Sequence, residues 1–345
     1  MNSYAIRQLA TVRIKQFIRE PEAIFWTYGF PVIMILVLGL AFRNNPEEKV
    51  EFDLVQSEHA AWVESSLDRD RFDVNIIQEE EAEERLRKNK SPLVVRIGTD
   101  RSCQFAFDPG NPESKVVYAA VNDALQRAAG RQDVLEVTTE VKRARGSRYI
   151  DFLVPGLIGM NLMGGGLWGI GFQLVDMRVR KLLKRLMATP MKRTDFLLSM
   201  VGLRMFFFIP EMGVLLLAAY LIFDIPVNGD LLSIVLVALT GSLAFAGLGL
   251  LTACRAKRIE TISGLMNLVM LPMWLTSGIF FSSERFPDVV QPLIQALPLT
   301  QLNNALRDVI LDGDSYLAQW KSMLILAAWA VVCFSLALRW FRWND

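Results

Sequence analysis

The sequence predicts an α-helical polytopic membrane protein with six transmembrane helices, an N-terminal interfacial helix, and a small external α/β domain between helices 1 and 2. Three observations predict it. Apolar residues fill 52% of the 345 positions while the formal net charge is only +1, which is too apolar for a soluble globule and too balanced for a nucleic-acid binder. Windows of about 20 apolar residues, enough to cross a hydrocarbon core, recur along the chain. The polar residues are gathered in one large block, residues 43–148, and in the short connections between apolar runs.

Residues 4–20, YAIRQLATVRIKQFIRE, put Ile6, Leu9, Ala10, Ile14 and Phe17 on one side of a helical wheel. Arg7, Thr11, Lys15 and Arg19 fall on the other side, with Arg13 out of pattern. Such a helix, within residues 1–22, lies in the membrane interface until Pro21 turns the chain; a frayed tail is the plainer alternative. The first span, Ala23–Phe42, is too long for a signal-peptide core and lacks a small-x-small cleavage site, so it is expected to be retained. The others are Phe152–Val175, Phe196–Phe223, Leu231–Cys254, Thr261–Phe281 and Met323–Phe341.

Between the first two spans, FDLVQ (52–56), FDVNIIQ (72–78), PLVVRIG (92–98) and CQFAF (103–107) read as short strands. AAWVESSL (60–67), EEEAEERLRKN (79–89) and SKVVYAAVNDALQRAA (114–129) read as helices, so strands and helices alternate as in an α/β domain. FDPGNPES is a turn cluster placed to cap the last of these helices. His59 is the only histidine, Cys103 stands apart from Cys254 and Cys333, and the acidic run lacks the spacing of a calcium loop. Neither a metal site nor a disulfide framework is therefore expected.

Basic residues set the expected orientation, because cytoplasmic loops hold the excess of Lys and Arg. They crowd the segment before the first span, the second-to-third loop, the fourth-to-fifth loop (Arg255, Lys257, Arg258) and the C-terminus (Arg339, Arg342). The third-to-fourth connection holds Asp224 and Asp230 and no base. Both termini are thus expected in the cytoplasm of a cell (inner) membrane, with residues 43–148 and 282–320 on the periplasmic or extracellular side. Three prolines, Pro287, Pro292 and Pro298, break the latter segment into short re-entrant helices.

GGGLWG holds Gly164, Gly166 and Gly169 at dinucleotide-binding spacing, but it sits inside a span, where no strand precedes it. Gly165 and Gly169 also form G-x-x-x-G, and Gly247 and Gly249 recur in the fourth span, so these glycines are expected to pack helices closely. Glu211 and Arg204 lie seven positions apart on one face of the third span. Charge at that depth points to a substrate path or a proton; the plainer readings are a polar contact for Glu211 and snorkelling for Arg204. No G-x-x-x-x-G-K-[ST], nucleophile elbow or H-E-x-x-H occurs, so the chain is expected to be no enzyme and to bind no cofactor itself.

Three stretches carry a resemblance. DMRVRKLLKRLMATPMKRTDFL (Asp176–Leu197), GLMNLVMLPMWLTSGIFFSSERFP (Gly264–Pro287) and LPLTQLNNALRDVIL (Leu297–Leu311) together resemble the permease subunits of type-2 ATP-binding-cassette exporters. The resemblance implies a coupling loop, 176–195, gripped by a separate ATPase subunit, which supplies ATP and Mg. It also implies a second permease, as a homodimer or a close paralogue, and an outer gate closed by the segment from Phe286 to Leu311. Carried over by position, the docking residues are Asp176, Arg178, Lys181, Lys184, Arg185, Thr189 and Pro190. Many family members start this loop with Glu-Arg-Glu-x-Gly-Thr, whereas here two bases replace Gly-Thr.

Residue chemistry agrees with docking, because Leu182, Leu183, Leu186 and Met187 form an apolar stripe ringed by bases. A loop that only sets topology against anionic lipid is the alternative. Asn267, Phe280 and Phe281 join Glu211 as candidates for the substrate path, although the two phenylalanines equally suit an interfacial anchor. The expected function is export of an amphipathic drug-like or lipid-like substrate, with membrane lipids and a periplasmic adaptor among the partners and no nucleic acid. A membrane-integral lipid-modifying enzyme and a non-transporting signalling or scaffold subunit are the alternatives.

Overall fold

A computed structural model describes residues 11, 15, 17–41, 49–98, 102–132, 135, 148–187 and 193–340. The chain divides into two compact units, residues 44–142 and residues 1–43 with 143–345. Most of the expected interfacial helix lies outside the described residues, although Phe17–Arg19 are helical.

The smaller unit is the expected α/β fold. Strand β1 (Val50–Val55) leads through α2 (Ala60–Ser66), numbered after the first apolar helix α1 (Phe25–Ala41), to β2 (Phe72–Ile77). Helix α3 (Glu79–Arg87), β3 (Val94–Ile97), β4 (Cys103–Ala106) and α4 (Pro112–Ala128) follow. The sheet order is β2-β1-β3-β4, with β1 parallel to both neighbours and β4 antiparallel to β3. Parallel neighbours require crossovers, and α2 and α3 supply them. On β1, Phe52 and Leu54 enter a core with Val63, Leu93, Val95 and Val121. The alternation turns Asp53 to the other face, where it is buried against Arg85 of α3 at 2.9 Å. Asn111 caps α4, accepting from the Glu113 backbone N–H at 3.0 Å, with Pro112 in the first helical turn where its missing N–H costs nothing.

The larger unit is helical. After a turn at Pro21–Ile24, α1 carries a π-helical segment, Phe25–Gly29. Then come α5 (Tyr149–Val179), α6 (Leu182–Met187), α7 (Arg193–Phe223), α8 (Leu231–Ala253) and α9 (Ile259–Thr276). Short helices α10 (Gln291–Ala296) and α11 (Pro298–Arg307) precede α12 (Trp320–Trp340). Five of these are long and apolar enough to cross a membrane, and α1 is a shorter apolar helix. Helices α5 and α8 form the centre, since 72% and 67% of their apolar windows are buried against 22–28% for α7, α9 and α12.

Small residues permit that centre. A Cβ at Gly249 would lie 2.3 Å from the Gly166 carbonyl oxygen, and one at Gly171 would lie 2.5 Å from that of Gly249, so the α5 and α8 backbones touch. Arg148 fixes the start of α5 through a capping box with Asp151 and donates to the carbonyl of Phe223 at 3.0 Å, tying it to the end of α7.

The fifth span is shorter than the sequence reading, which runs it to Phe281. Helix α9 stops at Thr276 because Gly278 takes a left-handed φ of 72°, a conformation that ends helices and favours glycine. Residues 291–307 do form short helices, and α11 is deeply buried despite its polar sequence. Asn303 donates to the Ser277 carbonyl at 2.8 Å, and Gln301 accepts from Ser322 at 2.8 Å. Arg307 donates to the Gly278 carbonyl at 2.9 Å while its guanidinium lies 3.9 Å over the Phe152 ring.

Candidate functional site

The last turn of α5 carries an ion pair, Asp176 to Arg180 at 2.9 Å. Arg178 reaches the end of α8, where it donates to the carbonyl oxygens of Ala253 (3.1 Å), Cys254 (3.4 Å) and Ala256, satisfying acceptors that a helix terminus leaves open. This arginine is a staple within the chain and not an open docking base. Lys181 then adopts φ 59°, which a side chain accepts only under constraint, and this kink starts α6 on a new axis.

The expected apolar stripe divides at that helix. Leu183 is 2% exposed and belongs to the chain's own core with Phe196, Leu197 and Met200, whereas Leu182 is 36% exposed and Lys184 and Arg185 are also exposed. Only the second set faces outward. Leu186 lies on α6, its side chain outside the description, and Thr189 and Pro190 lie outside the described residues.

The second constellation lies between α1, α5 and α7. Arg204 and Glu211, on either side of Pro210, pair through both guanidinium nitrogens, Nη2 donating to Oε2 at 2.6 Å and Nη1 to Oε1. Their side chains are 10% and 3% exposed. Seven residues span about 10 Å of helix, and the long arginine folds along the axis to close that gap. Its guanidinium is seated on the bare backbone of Gly165, where a Cβ would lie 1.6 Å from Nη2. Gly169 lies against the same side chain, with Arg204 Cδ 3.7 Å from its Cβ position. These two glycines therefore accommodate a side chain and not a neighbouring helix backbone; close backbone contact belongs to Gly166, Gly171 and Gly249. A Cβ at Gly247 would lie 3.1 Å from side-chain atoms of both Cys333 and Phe334 of α12. Tyr28 lies within electrostatic reach of the pair, and Asn161 of α5 donates to the Thr27 carbonyl of the π-helical segment at 3.4 Å.

The remaining candidates are not gathered there. Asn267 is exposed on α9, one turn from the open position of Gly264. Phe281 is 37% exposed and tilts against Phe286, with ring centroids 5.9 Å apart, and the Phe280 carbonyl accepts from the Tyr149 hydroxyl at 2.8 Å. Sequence reasoning missed the buried polar seam of Asn303, Arg307 and Ser277. Its signal was the i,i+4 pairing of Asn303 and Arg307 on a helix opened by Pro298.

Residues 21–339 match the family described as ABC-2 family transporter protein. The chain belongs to that family. It is 27% identical over 206 residues to ABC transporter G family member 20 of Dictyostelium discoideum, covering 59% of this chain and 28% of that protein. Against the probable multidrug ABC transporter permease YbhS of Escherichia coli it is 20% identical over 365 residues, covering 98% of this chain and 96% of the relative. The inner membrane transport permease YadH of the same organism is 27% identical over 203 residues, 56% of this chain and 77% of the relative. The chain thus spans little more than a quarter of the Dictyostelium protein and nearly all of YbhS. It is a multi-pass membrane protein of the ABC-2 permease family, and in such systems a partner nucleotide-binding subunit handles ATP.

Proposed function

We propose that this permease exports an amphipathic drug-like or lipid-like substrate as one half of a permease dimer, driven by a separate ATPase docked on residues 176–195. The observation that carries the reading is the division of α6: Leu183 anchors it in the core while Leu182, Lys184 and Arg185 face outward. An anchored helix with an exposed apolar residue between bases transmits a push from a partner, because the anchor makes the loop move with the bundle. The name of YbhS supports multidrug export, and the names of YadH and its kin support an inner-membrane location. The basic ends of the spans support cytoplasmic termini, which would put residues 43–148 outside, available to a periplasmic adaptor.

Asn267 is the substrate-lining residue this reading favours on α9, since an exposed amide on an apolar span is costly in lipid and needs a polar partner or a second copy's cavity. Phe280 and Phe281 would then close the outer end, and Glu211 would act through its pairing with Arg204.

The test is co-expression with the nucleotide-binding subunit followed by reconstitution in lipid. Amphipathic substrates should stimulate ATP hydrolysis by the complex, and Leu182→Asp should abolish both co-purification and stimulation. A complex that forms and responds to substrate despite Leu182→Asp sinks the docking assignment. Lipid modification by the permease alone would sink the exporter reading.

A further inference from the structure

Where α8 ends, a crevice of about 490 Å3 opens between α8, α9 and α12. Its walls include Leu251, Cys254, Leu265 and Trp340, and its polar members include Arg255 and Thr261. The lining is therefore mostly apolar, with Arg255 as its one base. Two neighbouring arginines have different fates. Arg178 spends its N–H groups on the carbonyls that close α8, whereas the Arg255 side chain is exposed and makes neither a hydrogen bond nor an ion pair with the described residues. The Arg255 guanidinium lies 5.7 Å from the centroid of the Trp340 ring. A guanidinium held over an aromatic face keeps its N–H edge for a further acceptor, and the planar fork fits a phosphate in two contacts.

The surroundings extend both characters. Lys257, Arg258 and Arg339 are exposed close by in sequence or at the end of α12, with Glu260 as the acid among them. From Leu265, which is 38% exposed, the α9 surface continues through Leu268 (70%) and Leu275 (59%), residues three and ten positions on and so along one helical stripe. A basic mouth at the end of apolar spans, opening onto a leucine stripe that runs up one of them, has the chemistry of an amphipath's site.

We propose that this crevice binds the headgroup of an anionic phospholipid, with the phosphate at Arg255 and an acyl chain along Leu265, Leu268 and Leu275. Basic pockets between transmembrane helices hold anionic headgroups by charge-assisted hydrogen bonds in a setting of reduced dielectric. An acidic protein surface would satisfy Arg255 but would leave the leucine stripe, which runs away along the span, without an occupant. A second copy meeting this patch across a two-fold axis would bring the same four bases against themselves. The lipid matches both halves of the site.

The test uses the full-length chain in neutral detergent, titrated with dioleoyl phosphatidylglycerol or dioleoyl phosphatidylcholine, with bound lipid counted by native mass spectrometry. The wild type should retain phosphatidylglycerol in clear preference. Arg255→Gln should weaken that binding roughly fivefold, the effect of one base beside an anionic lipid. Leu265→Trp, which fills the crevice and leaves every charge in place, should weaken it as well, so the proposal stays exposed if one variant does not fold. Arg285→Gln, which removes a base elsewhere in the chain, should not. Equal retention of the two lipids overturns the site, as does unchanged preference in both crevice variants. Displacement of wild-type phosphatidylglycerol by added nucleotide-binding subunit would assign the surface to that protein instead.

Discussion

Arg204 and Glu211 are a buried pair whose geometry decides what each substitution does. Removing one partner of such a pair leaves an uncompensated charge, which costs about 3–5 kcal/mol, whereas replacing both by apolar side chains of similar volume is often near neutral. Glu211→Gln should therefore lower the thermal midpoint of the detergent-solubilised protein strongly, and Arg204→Leu with Glu211→Leu should restore most of it. If the pair also works in transport, the restored double variant stays folded yet loses substrate-stimulated ATP hydrolysis. Wild-type stability in Glu211→Gln alone would remove the argument. Gly165 gives an independent handle, because its hydrogen occupies the place where a Cβ would run into the guanidinium. Gly165→Ala should cost about 1–3 kcal/mol as overpacking, and a shorter base, Arg204→Lys, should relieve part of it. A double-variant cycle on midpoints reads that coupling. In the sequence the seven-residue spacing was visible. The glycine seat was not, because a G-x-x-x-G pattern looks the same whether it receives a backbone or an arginine.

At the scale of elements, α6 and α9 separate what pattern reveals from what packing decides. The leucines of α6 are equivalent by composition, and a helical wheel assigns them all to one stripe. Packing divides them, since Lys181 turns the axis and Leu183 is buried in the helical core while Leu182 stays exposed. The two leucines should thus fail differently. Leu183→Asp puts a carboxylate into the core and should abolish accumulation of folded protein, whereas Leu182→Asp should leave folding stability within about 0.5 kcal/mol of wild type, as surface changes do, while losing the nucleotide-binding subunit. Size-exclusion profiles and co-purification distinguish the two outcomes, and matched behaviour would undo the division. For α9 the stop was available in the sequence as Ser277-Gly278, but a hydropathy window runs through glycine because glycine is not polar. What ends the helix is backbone conformation, and average hydropathy carries no information on φ. The strands and helices of residues 50–128 were recovered to within two residues at each end because alternation, turn chemistry and the capping turn cluster all agreed there.

At the scale of the whole molecule, the chain joins two cores built by different rules. Residues 44–142 bury Phe52, Leu54, Val95 and Val121 in a water-type core, driven by the removal of apolar surface from water. Helices α5 and α8 associate through Gly166, Gly171 and Gly249, where lipid offers no such drive and close contact must supply it. The two should therefore respond to different insults. Urea, which solvates apolar and peptide groups exposed to water, should unfold the α/β unit first in detergent, while the membrane helices persist. Phe52→Ala should move only that first transition, by about 3–5 kcal/mol, since Phe52 is a fully buried aromatic on the central strand. Gly249→Leu should move only the second, because its side chain would meet the α5 backbone 2.3 Å away from the first added carbon. Far-UV circular dichroism follows both transitions, and Trp62 fluorescence reports the first, as that ring packs against the α/β core. A single transition shifted equally by both substitutions would mean that the two units unfold as one, and the division of the molecule into independently driven cores would be wrong.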